Sequence, residues 1–380
     1  MASLLRRVDW PRLERALRVR RLLSTLGPRI VELAGERADE GFSAAVEETW
    51  AAGRHHGGFL SLVSQNITAA LAAAGIRSHP LKGPALSEAI YGDPGRRLSN
   101  DVDLLVPPDQ LNAAVEVVRD LGYDPPADPA DSTGLPQLHF AMVHGRGDLP
   151  PVELHWRIHW YERDFARQRL LPASVDPLGA WRPTPADELA ALLQFYARDG
   201  FIDLRMAADV GAWWDAFGDQ LATGAVDEIL RSYPRLQRVV CTALRVAERT
   251  VGLPAGEVTA EIPEPGLRDR LAIRLSDPTP HGSEKQLHAE MGLVDGLLMP
   301  PRELRAFTRR QILMPPHAAL DEQPPDVTSA GVGSRLRYAL RVLVRCGVLG
   351  RYALALARTF HPLQTARQHA RKPAPGSYLQ

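Results

Sequence analysis

Apolar residues recur three and four apart through most of this chain, and four short stretches break that rhythm with strand-like runs. Residues 1–75 read as helical: Leu13, Ala16, Leu17, Leu22 and Leu23 sit among arginines, and Ala44 to Ala74 is alanine-rich. His55-His56 followed by Gly57-Gly58 predicts a break in this region and an exposed turn. Gly75 ends the helical stretch, and residues 77–81 read as a first strand. Pro84 suits the first turn of a helix over 85–91, because its missing N–H would be unpaired there anyway. Gly92-Asp93-Pro94-Gly95 is a turn, and a second strand covers 101–106 until Pro107-Pro108 stops it. Asp109 is placed to cap a helix over 110–121, whose stripe is Leu111, Val115, Val118 and Leu121.

Residues 124–136 form a Pro/Asp loop without periodicity, and strands are expected over 139–144 and 152–159. In the last of these, Glu153, His155 and Arg157 share one face, and Leu154, Trp156 and Ile158 share the other, which goes to the core. Beyond residue 183 helical spacing returns over 186–199, 204–214, 225–250, 266–275, 286–298 and 301–311, with Pro-containing linkers at 277–282 and 317–333. The order of elements describes an α+β chain: a small mixed sheet flanked by helices, then a largely helical C-terminal part. Divided by pattern, 1–74 is an N-terminal helical region, 75–182 the catalytic core, 183–316 a helical domain, 317–334 a linker and 335–380 a basic segment.

Composition narrows the classes. At 380 residues the chain exceeds one ordinary core, so two or three domains are expected. A formal net charge of +0 argues against holding long nucleic acid by bulk electrostatics. Two cysteines far apart fit a reduced, cytoplasmic compartment rather than a disulfide framework, and neither a signal peptide nor a membrane span is visible. The stretch 335–361 carries arginines among leucines, with no acid after Asp326. It suits an anionic membrane surface or an acidic partner, and equally a terminal helix packed on its own domain with Arg outward.

The chemistry concentrates at residues 80–107. Asp101 and Asp103 are spaced i, i+2 at the start of an apolar run, so in a strand both carboxylates leave one side. Like charges that close repel unless a cation sits between them, and Glu153 offers a third carboxylate. Upstream, Lys82-Gly83 opens a helix and presents backbone N–H groups and one cation to a phosphate. Lysine occurs only at 82, 285 and 372, against an arginine-dominated background, which singles out Lys82. Arg97 is a second candidate cation, and Ser99 and Asn100 are candidate donors to phosphate or ribose. His155 and Arg157 are candidate substrate contacts, with a structural histidine as the other reading of His155. Metal-bound carboxylates beside a phosphate-cradling turn suggest phosphoryl or nucleotidyl transfer aided by divalent metal.

Residues about 60–215 resemble the uncharacterised bacterial nucleotidyltransferase-like family of the polymerase-β nucleotidyltransferase superfamily. The resemblance lies in Leu81-Lys82-Gly83, the stretch Arg97 to Val106, Leu121-Gly122-Tyr123, Val152 to Trp156, Pro185-x-Asp187-Glu188-Leu189, and Leu204-Arg205 with Asp209. It implies a small mixed sheet, a helical C-terminal domain and Mg2+-dependent transfer from an NTP to an acceptor that the family does not define. The wider superfamily has a Gly-Ser turn before the acidic pair, where this chain has Lys-Gly. Asp209 is expected to pair with Arg205, one helical turn before it. The competing classes are a glycosyltransferase using Asp-x-Asp for a nucleotide sugar, and a scaffold that kept the fold and lost catalysis.

Overall fold

The computed structural model describes residues 8–125, 138–254, 256, 258, 262–276 and 294–300. All of them fall in one of the chain's two units, which takes 1–129 and 136–300, while the other takes 130–135 and 301–380. Residues 126–136 of the expected 124–136 loop, the linkers at 277–282 and 317–334, residues 286–293 of the expected helix 286–298, the helix over 301–311 and the basic segment 335–380 lie outside the described residues. Among the described residues no helix is long and apolar enough to cross a membrane.

Three helices open the described chain: α1 (Trp10–Val19), α2 (Leu23–Ala34) and α3 (Glu40–Ala73). Asp9 and Asp39 cap α1 and α3 by accepting from the amides of Arg12 and Phe42, each at 3.0 Å. The sheet and its helices follow: β1 (His79–Pro80), α4 (Gly83–Tyr91), β2 (Val102–Leu105), α5 (Leu111–Asp120), β3 (His139–Met142) and β4 (Val152–His155). The strand order is β1-β2-β4-β3, with β2 and β4 parallel and both outer pairings antiparallel. The described chain continues through α6 (Phe165–Arg169), α7 (Pro185–Arg198), α8 (Leu204–Phe217), α9 (Ala225–Ser232), α10 (Gln237–Val251) and α11 (Leu267–Leu275).

Alternation along the strands gives the sheet two unlike faces. Val102, Leu104, Met142, Val152 and Leu154 point one way and pack on Leu60, Val63, Ile67 and Leu71 of α3 and on Ala114 and Val118 of α5. Burying these apolar groups is the main driving force for docking the two helices, at roughly 1.5–3 kcal/mol per large side chain. The opposite face carries the polar residues.

Several expectations are corrected. The strands are shorter than their patterns: β4 stops at His155 and Trp156 is bent, so Trp156 is half-buried against the Phe140 ring at 4.9 Å. Pro234 divides the expected helix 225–250 into α9 and α10, because the residue before a proline is driven out of helical geometry, and Tyr233 sits at φ −125, ψ 66. Asp109 does not cap α5; it lies in a 3-10 turn, Pro108–Gln110, that leads into the helix.

The largest correction concerns His55 to Gly58, which do not break α3. Gly53 and Gly57 are one turn apart on a single helix face, where the 93–95 turn presses against the backbone. A Cβ at Gly57 would stand 2.5 Å from Pro94 O and 2.6 Å from Gly95 Cα, and one at Gly53 2.5 Å from Gly95 O. Polar contacts from the same side complete the grip. Trp50 Nε1 donates to Asp93 at 2.9 Å, and the His56 ring meets the Ser99 carbonyl at 2.9 Å. The segment entering β2 is thereby moulded onto α3.

From the other side α8 holds the same segment. Asp209 is fully buried and accepts from Arg97 Nε at 2.6 Å and from Tyr91 Oη at 3.0 Å. Arg205 pairs instead with Asp203 and donates to the Leu98 carbonyl at 2.9 Å, so the expected Arg205–Asp209 pair is not formed. Burial by itself would lower the Arg97 pKa, but Asp209 outweighs it and keeps the guanidinium charged.

Three outcomes follow for stability. Alanine at Gly57 is expected to destabilise by about 1–3 kcal/mol through overpacking. Alanine at Gly58, which has open space, should stabilise by about 0.5–1 kcal/mol, because an interior helical glycine is entropically costly; paired chemical denaturation curves give the two signs. Asp209→Asn should cost about 3–5 kcal/mol by stranding the buried Arg97 charge. A normal melting temperature with weakened NTP binding would instead return Arg97 to the phosphate role.

Candidate active site

Residues paired across neighbouring strands stand on one face, and the register of this sheet decides which polar groups meet. In the parallel pair, Asp103 of β2 lies opposite Glu153 of β4. In the antiparallel pair, His139 of β3 lies opposite His155, and the small Ala141 lies opposite Glu153. Four polar side chains from three strands thus converge on the face turned away from α3.

His155 sits at the centre, with none of its surface exposed. Its Nε2 is 3.0 Å from Asp103 Oδ1 and 3.1 Å from Glu153 Oε2. His139 Nε2 lies 3.6 Å from the same Glu153 oxygen, and the two imidazole centroids are 4.7 Å apart. One ligating atom from each of His139, Glu153 and His155 lies within 4.8 Å of the other two.

Lys82 approaches from the N-terminus of α4 and places Nζ 3.2 Å from Asp103 Oδ1. Burial alone would raise the Asp103 carboxyl, but Lys82 and His155 outweigh it and hold it well below the usual carboxylate range. Glu153 is also lowered: burial pushes it up, and the His155 hydrogen bond more than reverses this. Burial, with the His155 charge added, pushes the His139 imidazole down to about 4, so this ring is neutral at physiological pH.

Helix α7 roofs the site. Phe195 turns its ring edge-on to His155 at 6.4 Å, and its face carries Lys82 Nζ at 4.6 Å and the Arg198 guanidinium at 5.0 Å. Arg198 acts electrostatically on Asp103 and His139, and its buried Nη1 has no hydrogen-bond partner among the described residues. Phe195 also walls a cavity of about 290 Å³ bounded by His79, Leu81, Trp181, Leu192 and Trp213.

The remaining expected residues divide. Asp101 is half-buried one residue before β2, its Oδ1 held by the Ser99 hydroxyl at 3.0 Å. Gly83 opens α4 at φ +64, a left-handed conformation that favours glycine at the proposed phosphate turn. Asn100 is exposed. Arg97, expected to face phosphate, is spent on Asp209 in the interior. Arg157 lies beyond the end of β4, so the expected alternation does not carry it beside Glu153; its charge acts on Glu162 instead.

His139, Phe195 and Arg198 were not read as site residues. His139 and Ala141 share a face by period two, but only the β3–β4 register shows that this face is the one carrying Glu153. Phe195 and Arg198, spaced i, i+3, share one face of a helix whose docking partner local pattern does not specify.

The arrangement supplies paired carboxylates, a bridging imidazole, two cations and a helix N-terminus around one sheet face, which is what phosphoryl or nucleotidyl chemistry needs. Comparison with curated proteins returned no match, and comparison with solved structures returned none either. A protein-family model described as an uncharacterised nucleotidyltransferase matches residues 6–252, from the first helix through α10. The chain therefore belongs to that uncharacterised nucleotidyltransferase family.

Proposed function

We propose that the protein transfers a nucleotidyl group from an NTP to a hydroxyl acceptor on a small molecule, peptide or protein, with the aid of a divalent cation. The observation that carries this reading is the side-by-side placement of Asp103 and Glu153 on parallel strands, with Asp101 at the strand entrance. The donor set fits a hard cation: two carboxylates held ionised and a third kept in place by Ser99. Asp101, Asp103 and Glu153 would hold Mg2+ or Mn2+, which when bound eases deprotonation of the acceptor hydroxyl and steadies charge on the leaving pyrophosphate.

The chain's own groups do the rest. His155, within reach of both carboxylates, fixes their orientation. Lys82, in contact with Asp103, would turn its ammonium to phosphate oxygens of the NTP. Arg198 would take the place of Arg97 as the second phosphate cation, its Nη1 having no hydrogen-bond partner among the described residues. The amides at the start of α4 add neutral donors for the same anion. The acceptor oxygen bonds to the α-phosphorus as the bond to pyrophosphate breaks, so the nucleoside monophosphate ends on the acceptor.

NTPs labelled at the α-phosphate should leave label on the acceptor, and γ-label should leave as pyrophosphate. Turnover of a UDP-sugar alone would replace this reading with glycosyl transfer. Asp103→Asn combined with Asp101→Asn is expected to lower turnover by more than the roughly 10–100-fold typical of losing an outer-shell partner. Arg198→Ala should raise the KM for NTP by about 10-fold or more, as expected for loss of a charge-assisted contact worth roughly 1.5–3 kcal/mol; an unchanged KM removes Arg198 from the phosphate site.

A further inference from the structure

We propose that His139, Glu153 and His155 form a binding site for a nitrogen-accepting transition-metal dication such as Zn2+, in addition to the hard-cation carboxylates. The inference goes beyond nucleotidyl transfer and stands on the His139–Glu153–His155 geometry, in which Glu153 and His155 are shared with the site described above. The three ligating atoms lie within 4.8 Å of one another, close enough to surround one ion after small side-chain rotations. Both imidazoles reach the cluster through Nε2, and both meet the same carboxylate oxygen, Oε2 of Glu153.

Both rings make their polar contacts through Nε2 at the cluster, and each Nδ1 is without a hydrogen-bond partner among the described residues, so the placement of the rings rests on the sheet register. Ala141, opposite Glu153, supplies no bulk where an ion and its open position would need room. His155 forms the fully buried floor, while the His139 and Glu153 side chains are 34% and 22% exposed, which gives an ion and one further ligand access from the β3 side.

The donor types set the metal class. Mg2+ favours oxygen and holds its waters, whereas imidazole favours Zn2+ and neighbouring first-row ions. Two histidines and one glutamate leave a fourth tetrahedral position open, the ligand count of catalytic rather than structural zinc sites. Asp103 is not one of the three; its Oδ1 lies 3.0 Å from His155 Nε2 and 3.2 Å from Lys82 Nζ.

The test uses the full-length, metal-stripped chain titrated with Zn2+, Mg2+ and, as a spectroscopic probe, Co2+. Zn2+ is expected to bind at least about 100-fold more tightly than Mg2+, and Co2+ to give a visible d–d band. His139→Ala should weaken Zn2+ by about 10–100-fold and diminish the band, with His139→Gln as the second variant should the first not fold. Equal Zn2+ affinity in wild type and variant, or a wild type that prefers Mg2+, overturns the inference. Loss of the Zn2+ preference with Mg2+-dependent NTP turnover intact overturns it while the nucleotidyltransferase reading stands. Zn2+ binding without NTP turnover supports it and sinks that reading instead.

Discussion

Two carboxylates on adjacent parallel strands repel, and the molecule is arranged to make that repulsion tolerable. Asp103 and Glu153 are fixed opposite each other by backbone hydrogen bonding, not by any attraction of their own. Compensation comes from outside the strands: an imidazole between them, an ammonium from the start of α4, and a guanidinium from the end of α7. Each compensating group is delivered by a different element, so the helices that clothe this face are needed for electrostatic as well as hydrophobic reasons. A pair held ionised in this way is ready to meet a cation without first losing protons.

The sequence showed the parts that depend on local pattern. Period two in β4 placed Glu153 and His155 on one face, Asp101 and Asp103 stood out by spacing, and Lys82-Gly83 marked the start of a helix. What it could not show depends on what packs against what. Arg97 looked like a free cation because its partner, Asp209, lies 112 residues away on α8. The family match from residue 6 to 252 likewise extends well beyond the stretch whose motifs suggested it, taking in helices that carry no recognisable chemistry. Gly57-Gly58 looked like a helix breaker because glycine is a poor helix former, and the close approach of another backbone is invisible along one chain.

That close approach gives the N-terminal helices a purpose. The turn at 93–95 lies in a glycine groove of α3 and is tied by Trp50 to Asp93, while Ser24 of α2 donates to the Arg96 carbonyl at 2.8 Å. With Arg97 and Leu98 held by α8, the run into Asp101 is clamped from two directions. Precision at the acidic pair is therefore supplied by rigid helices rather than by the short strand itself.

The ring of Phe195 has a consequence of its own. It faces Lys82 and Arg198 together, yet a phenyl ring has no net charge and only a quadrupole to offer them. It steadies two cations without cancelling the field they project into the cleft, as a third carboxylate in that place would. Negative charge entering the cleft would compete with Asp103 for Lys82, while the ring itself would give both cations up at little cost.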